Sequence, residues 1–555
     1  MKVRSLAWLS VAMLLSAAAS GTDDWPGWRG PTRNGVVADS PPLVDTFGKE
    51  GPKLLWKSQP LLGDDAERFG AGKVTEAGGW GSVSVVGKRA FVCINLNVEL
   101  PTKTRKIDVR RFKTLQQLSW NLKMPADDLN AIEKARTSPE RAALKNARAL
   151  SRWKNKWLAE HGKHFTNRHR HYASTRLDDG PEGFPLETMR TLLPLLNRVF
   201  DDDAALEKWF DANGIDADVR QKLRERRHIQ TTRRGGRDVL WCLDVETGKP
   251  LWHRAFEGAQ MAYACSFTPT VADGRVYALT SAAVMYCVDG DSGKVNWQSK
   301  QLGKPHHKHN RSSSALVVDG LVVVGTDTGC HALDVKTGEE RWHNAEAGDK
   351  EASPVAWRVD GARRILSIGN STGKHRLYAL DATDGKVLWW IPPAEETHAD
   401  WRGDFRSSPT VVDDRMVFCG GKKLGLVAYA LGDGPPKKLW QIKMHDAYAS
   451  PIVHEGYVYY IGGGRATCVE LVTGKITWQK RLSGRARLSS PVLADGKLFA
   501  IAAPTLLVIK AEAKEYTPLA RAKFNVPKWS SPVIADGRLY LRIGKCVTCY
   551  DLRKP

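Results

Sequence analysis

The sequence predicts an all-β fold: an eight-bladed β-propeller of four-stranded blades, closed by an N-terminal strand and carrying a mainly helical insertion in the first blade. Three observations lead there. One motif (an acid, then Thr or Ser, then Gly, then Trp) recurs along the chain. A second, Ser-Pro with a short apolar run and Asp-Gly, precedes its copies. An orphan strand near the N-terminus matches a strand missing from the last copy.

The first motif runs Asp244 to Trp252, Asp289 to Trp297, Asp334 to Trp342, Asp381 to Trp389 and Glu470 to Trp478. Its spacing is that of a tight hairpin. The carboxylate accepts turn N–H groups, Gly takes the positive-φ position, and alternating apolar residues flank the turn. The second motif starts at Ser408-Pro, Ser450-Pro, Ser490-Pro and Ser531-Pro, with looser versions at Thr268, Ser313, Ser353 and Gly81. Asp-Gly between apolar runs is a strong hairpin signal. Together the motifs define units of four antiparallel strands every 40–50 residues or so, which is the propeller pattern. Eight starts are found. The eighth unit supplies three strands, ending in Cys549-Tyr-Asp551, and Leu54-Leu-Trp56 is expected to supply the fourth and remove an exposed sheet edge.

One interval is too long. About 140 residues separate Phe91–Ile94 from the next strand, Val239–Leu243. Ser138-Pro139 reads as an N-cap with Pro at the first helical position, opening a helix through Trp153. Leu186 to Phe200, Asp203 to Phe210 and Asp216 to Arg227 are further expected helices. The insertion holds 29 Lys and Arg against 19 Asp and Glu, roughly half of the chain's net charge of +22. The expected domains are therefore a signal peptide over 1–20, an N-terminal loop, ring-closing strand and start of the first blade over 21–96, the basic insertion over 97–236, and the remaining blades over 237–555.

Lys2 and Arg4, the apolar run Leu6 to Leu15 and Ala17-Ala-Ala19 form a secretory signal pattern. The expected location is periplasmic or extracellular, without a lipid anchor, since no Cys follows the apolar run. Export makes nucleic acid an unexpected partner despite the charge, and no later segment is apolar enough to span a membrane. Cys242, Cys287, Cys468 and Cys549 occupy one slot of the repeat that Ala332 and Ala379 fill elsewhere, so the slot is expected to be small and buried and its cysteines unpaired. Asp24-Trp-Pro-Gly-Trp-Arg-Gly-Pro-Thr-Arg-Asn-Gly35 is dense in turn formers and is expected to be an ordered loop pinned by Trp25 and Trp28.

The Asp-x-x-Thr-Gly-Lys-x-x-Trp repeat resembles the tryptophan-docking motif of quinoprotein alcohol dehydrogenase-like propellers, whose repeat is named after pyrroloquinoline quinone (PQQ). The Trp-Pro-Gly-Trp-Arg-Gly-Pro opening resembles the N-terminal segment of exported PQQ-like propellers. The resemblance covers about 400 residues. It implies that Trp56, Trp252, Trp297, Trp342, Trp389, Trp440 and Trp478 dock neighbouring blades. The dehydrogenase branch binds PQQ and calcium, but its vicinal cysteine pair has no counterpart, because no two of the nine cysteines are adjacent, and no Cys-x-x-Cys-His haem motif occurs. A second branch consists of outer-membrane assembly scaffolds that bind protein partners and need no cofactor. The third is a broad set of exported propellers without an assigned activity, and this sequence resembles that set most.

Residues just before each innermost strand are expected to converge at one channel mouth: Tyr263, Arg311, Glu351, Arg406, Asp446, Arg487 and Lys528. Cationic side chains with Trp80 and Trp529 suit an anionic or sugar-like ligand; mutual pairing within the channel is the alternative. His306-His-Lys-His309 and His161, His164, His169 and His171 lack a companion acid or Cys at a metal-site spacing, so no metal is assigned. The basic helix Arg141 to Lys156, with Trp153 and Trp157, could contact acidic surfaces or pack as a solvated face. The reading is a protein- or ligand-binding scaffold, with a PQQ-dependent or other oxidoreductase as the alternative.

Overall fold

The computed structural model describes residues 24–62, 81–261, 267–305, 313–349, 351–369, 376–391, 407–420, 424–444, 448–483, 489–524 and 530–554. The signal segment, His306 to His309, Trp80, Trp529 and all the channel-mouth candidates except Glu351 lie outside these residues. Strands predominate, and every sheet among the described residues is four-stranded and antiparallel; there are eight of them. The chain divides into two compact units, one built on residues up to 98 and from 235 onwards, the other on residues 99–234.

Each sheet of the first unit is assembled from consecutive strands except the last. In that sheet Val533–Ala535, Arg538–Ile543 and Cys546–Asp551 are completed by the N-terminal strand Lys53–Lys57, which pairs antiparallel with Cys546–Asp551. Five of the eight inner hairpins turn on Asp-Gly pairs in which both residues have positive φ, for example Asp319 (46°) and Gly320 (78°). That is the primed turn whose twist matches the flanking strands.

The outer hairpins are held by their acids. Asp244 accepts from the backbone N and hydroxyl of Thr247 at 2.8 and 2.7 Å, and Asp289 repeats both bonds with Ser292. These bonds hold both carboxyls below their usual range, the hydroxyl bond being the leading cause. Asp334, bonded first by Arg341 and then by turn amides, is lowered to about 2.

Opposite each small slot stands a tryptophan. Cys242 faces Trp252, Cys287 faces Trp297, Ala332 faces Trp342, Ala379 faces Trp389, Ala428 faces Trp440, Cys468 faces Trp478 and Cys549 faces Trp56, each beside a register shift in the ladder. The seventh sheet differs: Val508 pairs with Ala520 and no indole is present. Cys242, Cys287, Cys468 and Cys549 are buried and unpaired, and burial raises the thiol pKa of Cys242 and Cys549 to about 12, which suits small core residues.

The helical unit departs from expectation at three places. The helix expected from Pro139 through Trp153 is broken: Pro139–Ala142 ends after one turn, and Ala147–His161 starts afresh with Asn146 capping Ala149 N at 2.8 Å. Asn146 competes for the backbone as an N-cap better than it serves a helix interior. The segment expected from Leu186 to Phe200 is helical only over Leu186–Leu192, followed by the tighter turn Leu193–Asn197 that contains Pro194. Lys113–Trp120, Ala126–Arg136 and Asn167–Asp179 are helices that polar, weakly patterned sequence concealed. Trp157 belongs to this unit's own core, with Leu115, Ile132, Tyr172 and Phe210. Beside that core, buried Arg176 bonds Glu133 at 2.6 Å and Asp179 at 3.1 Å.

Candidate functional site: the central channel

A Ser or Thr stands two residues before the first strand of each sheet, and these residues join the sheets. Ser82 N donates to Thr268 Oγ1 (3.1 Å), Thr268 N to Ser314 Oγ (2.9 Å), Ser314 N to Ser353 Oγ (2.9 Å) and Ser353 N to Ser408 Oγ (3.1 Å). Ser450 Oγ donates to Ser408 O (2.8 Å), Ser450 N to Ser490 Oγ and Ser490 N to Ser531 Oγ (both 3.0 Å). Ser82 Oγ returns to Ser531 O at 3.3 Å, so the belt links the last sheet to the first. All eight side chains belong to buried residues. The Ser of Ser-Pro, first read as part of a strand-start signal, therefore satisfies the backbone of the neighbouring sheet.

Inside this belt lies the N-terminal segment. Trp25 makes a two-way backbone bridge with Val85 (2.7 and 2.9 Å), and Pro26 O accepts from Val271 N (2.7 Å). Arg33 donates to Pro354 O (2.8 Å), Ser314 O (3.3 Å) and Ala315 O. Arg29 donates to Thr410 Oγ1 (2.8 Å), Pro451 O (2.5 Å) and Asn34 O (2.7 Å). Gly35 O and Val37 N bond Leu493, and Val44 N donates to Leu552 O (2.7 Å). The segment thus reaches all eight sheets, and it satisfies inner-edge carbonyls that a bare channel would leave to water.

Arg29 and Arg33 are only 3% and 6% exposed, and the bonds found for their guanidiniums go to carbonyl oxygens and one hydroxyl. Burial lowers both to about 9, so they remain cationic at neutral pH. The segment is also held at two inner-hairpin turns: Asp24 Oδ1 accepts from Gly87 N (2.8 Å) and Asp495 Oδ2 from Leu43 N (2.7 Å). Trp25 is buried as expected for a pin, whereas Trp28 is only half-buried. Arg29 and Arg33 are the pins that sequence reasoning missed, because their partners lie hundreds of residues away.

Among the expected mouth residues, Tyr263, Arg311, Arg406, Asp446, Arg487 and Lys528 lie outside the described residues. Glu351 is half-buried between the third and fourth sheets, its backbone N on Asp349 Oδ1 at 2.6 Å. The expected docking indoles are described in full. Trp56 donates to Val245 O, Trp252 to Gly290 O, Trp297 to Val335 O, Trp342 to Ala382 O, Trp440 to Leu471 O and Trp478 to Glu512 O, at 2.7–3.2 Å, each reaching the next sheet. Trp389 is buried at 5% exposure. The rings lie against the turn glycines of the next sheet, so a Cβ on Gly248 or Gly338 would stand 2.3 or 2.4 Å from the Trp56 or Trp297 ring.

The histidines of the helical unit do not form one donor set. His161 stacks on Trp157 at 4.7 Å, and His164 bonds Asp128 at 2.9 Å. Sequence reasoning missed a different group, His331, Glu340 and His343. There His331 Nδ1 bonds Glu340 at 2.9 Å, the Lys300 ammonium also holds Glu340, and the two rings stack 4.3 Å apart at 6°. Parallel rings direct their nitrogen lone pairs along parallel planes rather than to one point, and burial holds His331 below its ordinary pKa.

Comparison with known proteins follows the repeat. Outer membrane protein assembly factor BamB of Moranella endobia is 28% identical over 235 residues, covering 39% of this chain and 57% of that protein. Quinohemoprotein alcohol dehydrogenase ADH-IIG of Pseudomonas putida is 27% identical over 217 residues, covering 34% and 30%. The chain therefore spans less than two thirds of either relative's length. The crystal structure of BamB from Moraxella catarrhalis aligns with a TM-score of 0.45 at 17% identity, over 56% of this chain and 91% of that one. The model of the family described as outer membrane protein assembly factor BamB matches residues 212–370 and 355–542, more than half of the sequence, and the chain belongs to that family.

Proposed function

We propose that this protein is an exported binding or scaffold module: one eight-bladed propeller, with residues 99–234 inserted in its first blade, that recognises a protein partner or an anionic or sugar-like ligand. The eight sheets are the blades, and the seven tryptophans dock them. The residues proposed for recognition are Tyr263, Arg311, Glu351, Arg406, Asp446, Arg487 and Lys528, which precede the first strand of seven of the eight units in sequence. The observation that supports this reading is the N-terminal segment, which from Trp25 to Val44 bonds residues in or beside every sheet; in this reading it fills the other end of the channel. A channel filled at one end leaves the inter-blade loops as the accessible rim, and loops on a rigid scaffold are where binding residues collect. The relatives named as outer membrane protein assembly factors support a protein partner.

The quinohemoprotein relative supports a second reading, a PQQ-dependent oxidoreductase. The two separate by experiment. Pure protein mixed with PQQ and calcium, then followed by visible absorption and an alcohol–dye assay, is expected to retain no stoichiometric quinone and reduce no dye. One quinone per chain with alcohol-dependent dye reduction would overturn the scaffold reading.

A further inference from the structure

The helical unit contains a cavity of about 380 Å³ lined by Gln117, Trp120, Asn121, Asn167, Arg168 and His171. Its size falls at the lower end of the roughly 300–1,000 Å³ typical of small-molecule sites. Two helices build it. Gln117, Trp120 and Asn121 share one face at the C-terminal end of Lys113–Trp120, while Leu115 and Leu118 on the opposite face enter the core. Asn167, Arg168 and His171 come from the first turns of Asn167–Asp179, whose N-terminus is already capped by Thr166.

Three features of this cavity have no structural use. Trp120 leaves 55% of its surface in solvent although the core lies on the other face of its helix. Gln117 and Asn121 are only 5% and 3% exposed, yet Gln117 Oε1 and Asn121 Oδ1 receive no hydrogen bond. Asn121 Nδ2 donates to Gln117 O at 2.7 Å, which fixes the oxygen as the end of that amide still awaiting a donor. On the facing wall, Asn167, Arg168 and His171 are exposed and carry no side-chain hydrogen bond or ion pair among the described residues. Buried acceptors without protein donors are uncommon in folded proteins and are satisfied by water or a bound group.

We propose that this cavity is a saccharide site, selective for a sugar bearing a carboxylate. The C–H face of a pyranose covers the open Trp120 indole, an amphipathic platform. Its neighbouring hydroxyls both donate and accept, which suits the exposed Asn167 amide and Arg168 guanidinium beside the indole. The Arg168 guanidinium takes a carboxylate in two parallel bonds, and the excess of 29 basic over 19 acidic residues in 99–234 draws an acidic sugar in.

Isothermal titration of the full-length protein with trigalacturonate and with maltotriose tests the proposal. Trigalacturonate is expected to bind one per chain, and Trp120→Ala, with an unchanged circular dichroism spectrum, weakens it about tenfold or more. Arg168→Ala reduces the preference for the acidic sugar while weak maltotriose binding persists. Absence of heat with both sugars overturns the proposal. So does trigalacturonate binding that Trp120→Ala leaves unchanged and about 0.5 M NaCl abolishes, since charge alone would then explain it.

Discussion

At the scale of the residue, the repeat's most distinctive side chains are used in construction. Its glycine serves two purposes, a positive φ and a floor for the indole of the preceding sheet. Gly320 and Gly338 separate these purposes. Both have φ near +75° to +78°, but a Cβ on Gly320 meets nothing within 4 Å, whereas one on Gly338 meets the Trp297 ring at 2.4 Å. Gly320→Ala is therefore expected to cost about 1 kcal/mol, the left-handed strain alone. Gly338→Ala should cost about 2–4 kcal/mol, because the docked indole must also move. Denaturant midpoints of the two variants check this, and equal losses would show that the indole does not rest on the turn. The turn chemistry was legible because acid, hydroxyl and glycine act within five residues. The belt hydroxyls and the Arg29 and Arg33 contacts were not, since nothing local in the sequence says which distant carbonyl a side chain will meet.

At the scale of the element, strands were easier to read than helices. Asp-Gly turns and alternation mark strand ends, and the orphan strand at Leu54 found its partner at Tyr550. In the helical unit, Asn146 and Pro194 interrupt periodic stretches that apolar spacing alone would run together. That unit also has a pH-sensitive joint. His228 stacks on Phe112 at 4.0 Å and 12°, and burial, followed by the nearby Arg226, lowers it to about 4. The unfolded chain takes up this proton near pH 6.5, while the folded unit resists it down to about 4. The stability of the helical unit is thus greatest above pH 6.5 and falls as the pH drops from 6.5 towards 4. Thermal melts followed by the helical circular dichroism signal should show this fall. His228→Phe, which preserves the ring contact, should flatten it within that window; an unchanged slope would assign the pH dependence to other groups.

At the scale of the whole molecule, the repeat count and its closure by an N-terminal strand could be read from sequence, because each unit restates the same pattern. The recognition surface was less legible. The residues proposed for it lie in stretches of sequence that the repeat does not constrain, and the N-terminal segment's composition announced only turns. The central claim is that this segment is an integral part of the ring and fills one end of its channel. Native-state hydrogen exchange on the unmodified protein tests it most directly, through the amides of Trp25, Val37 and Val44, which donate to Val85, Leu493 and Leu552. The account predicts that these three amides exchange within about tenfold of Val322 and Tyr459, whose amides lie in second strands paired only within their own sheets, because the segment opens only when the ring opens. Rapid exchange of all three while Val322 and Tyr459 stay protected would contradict it, and the segment would then be a loose tail.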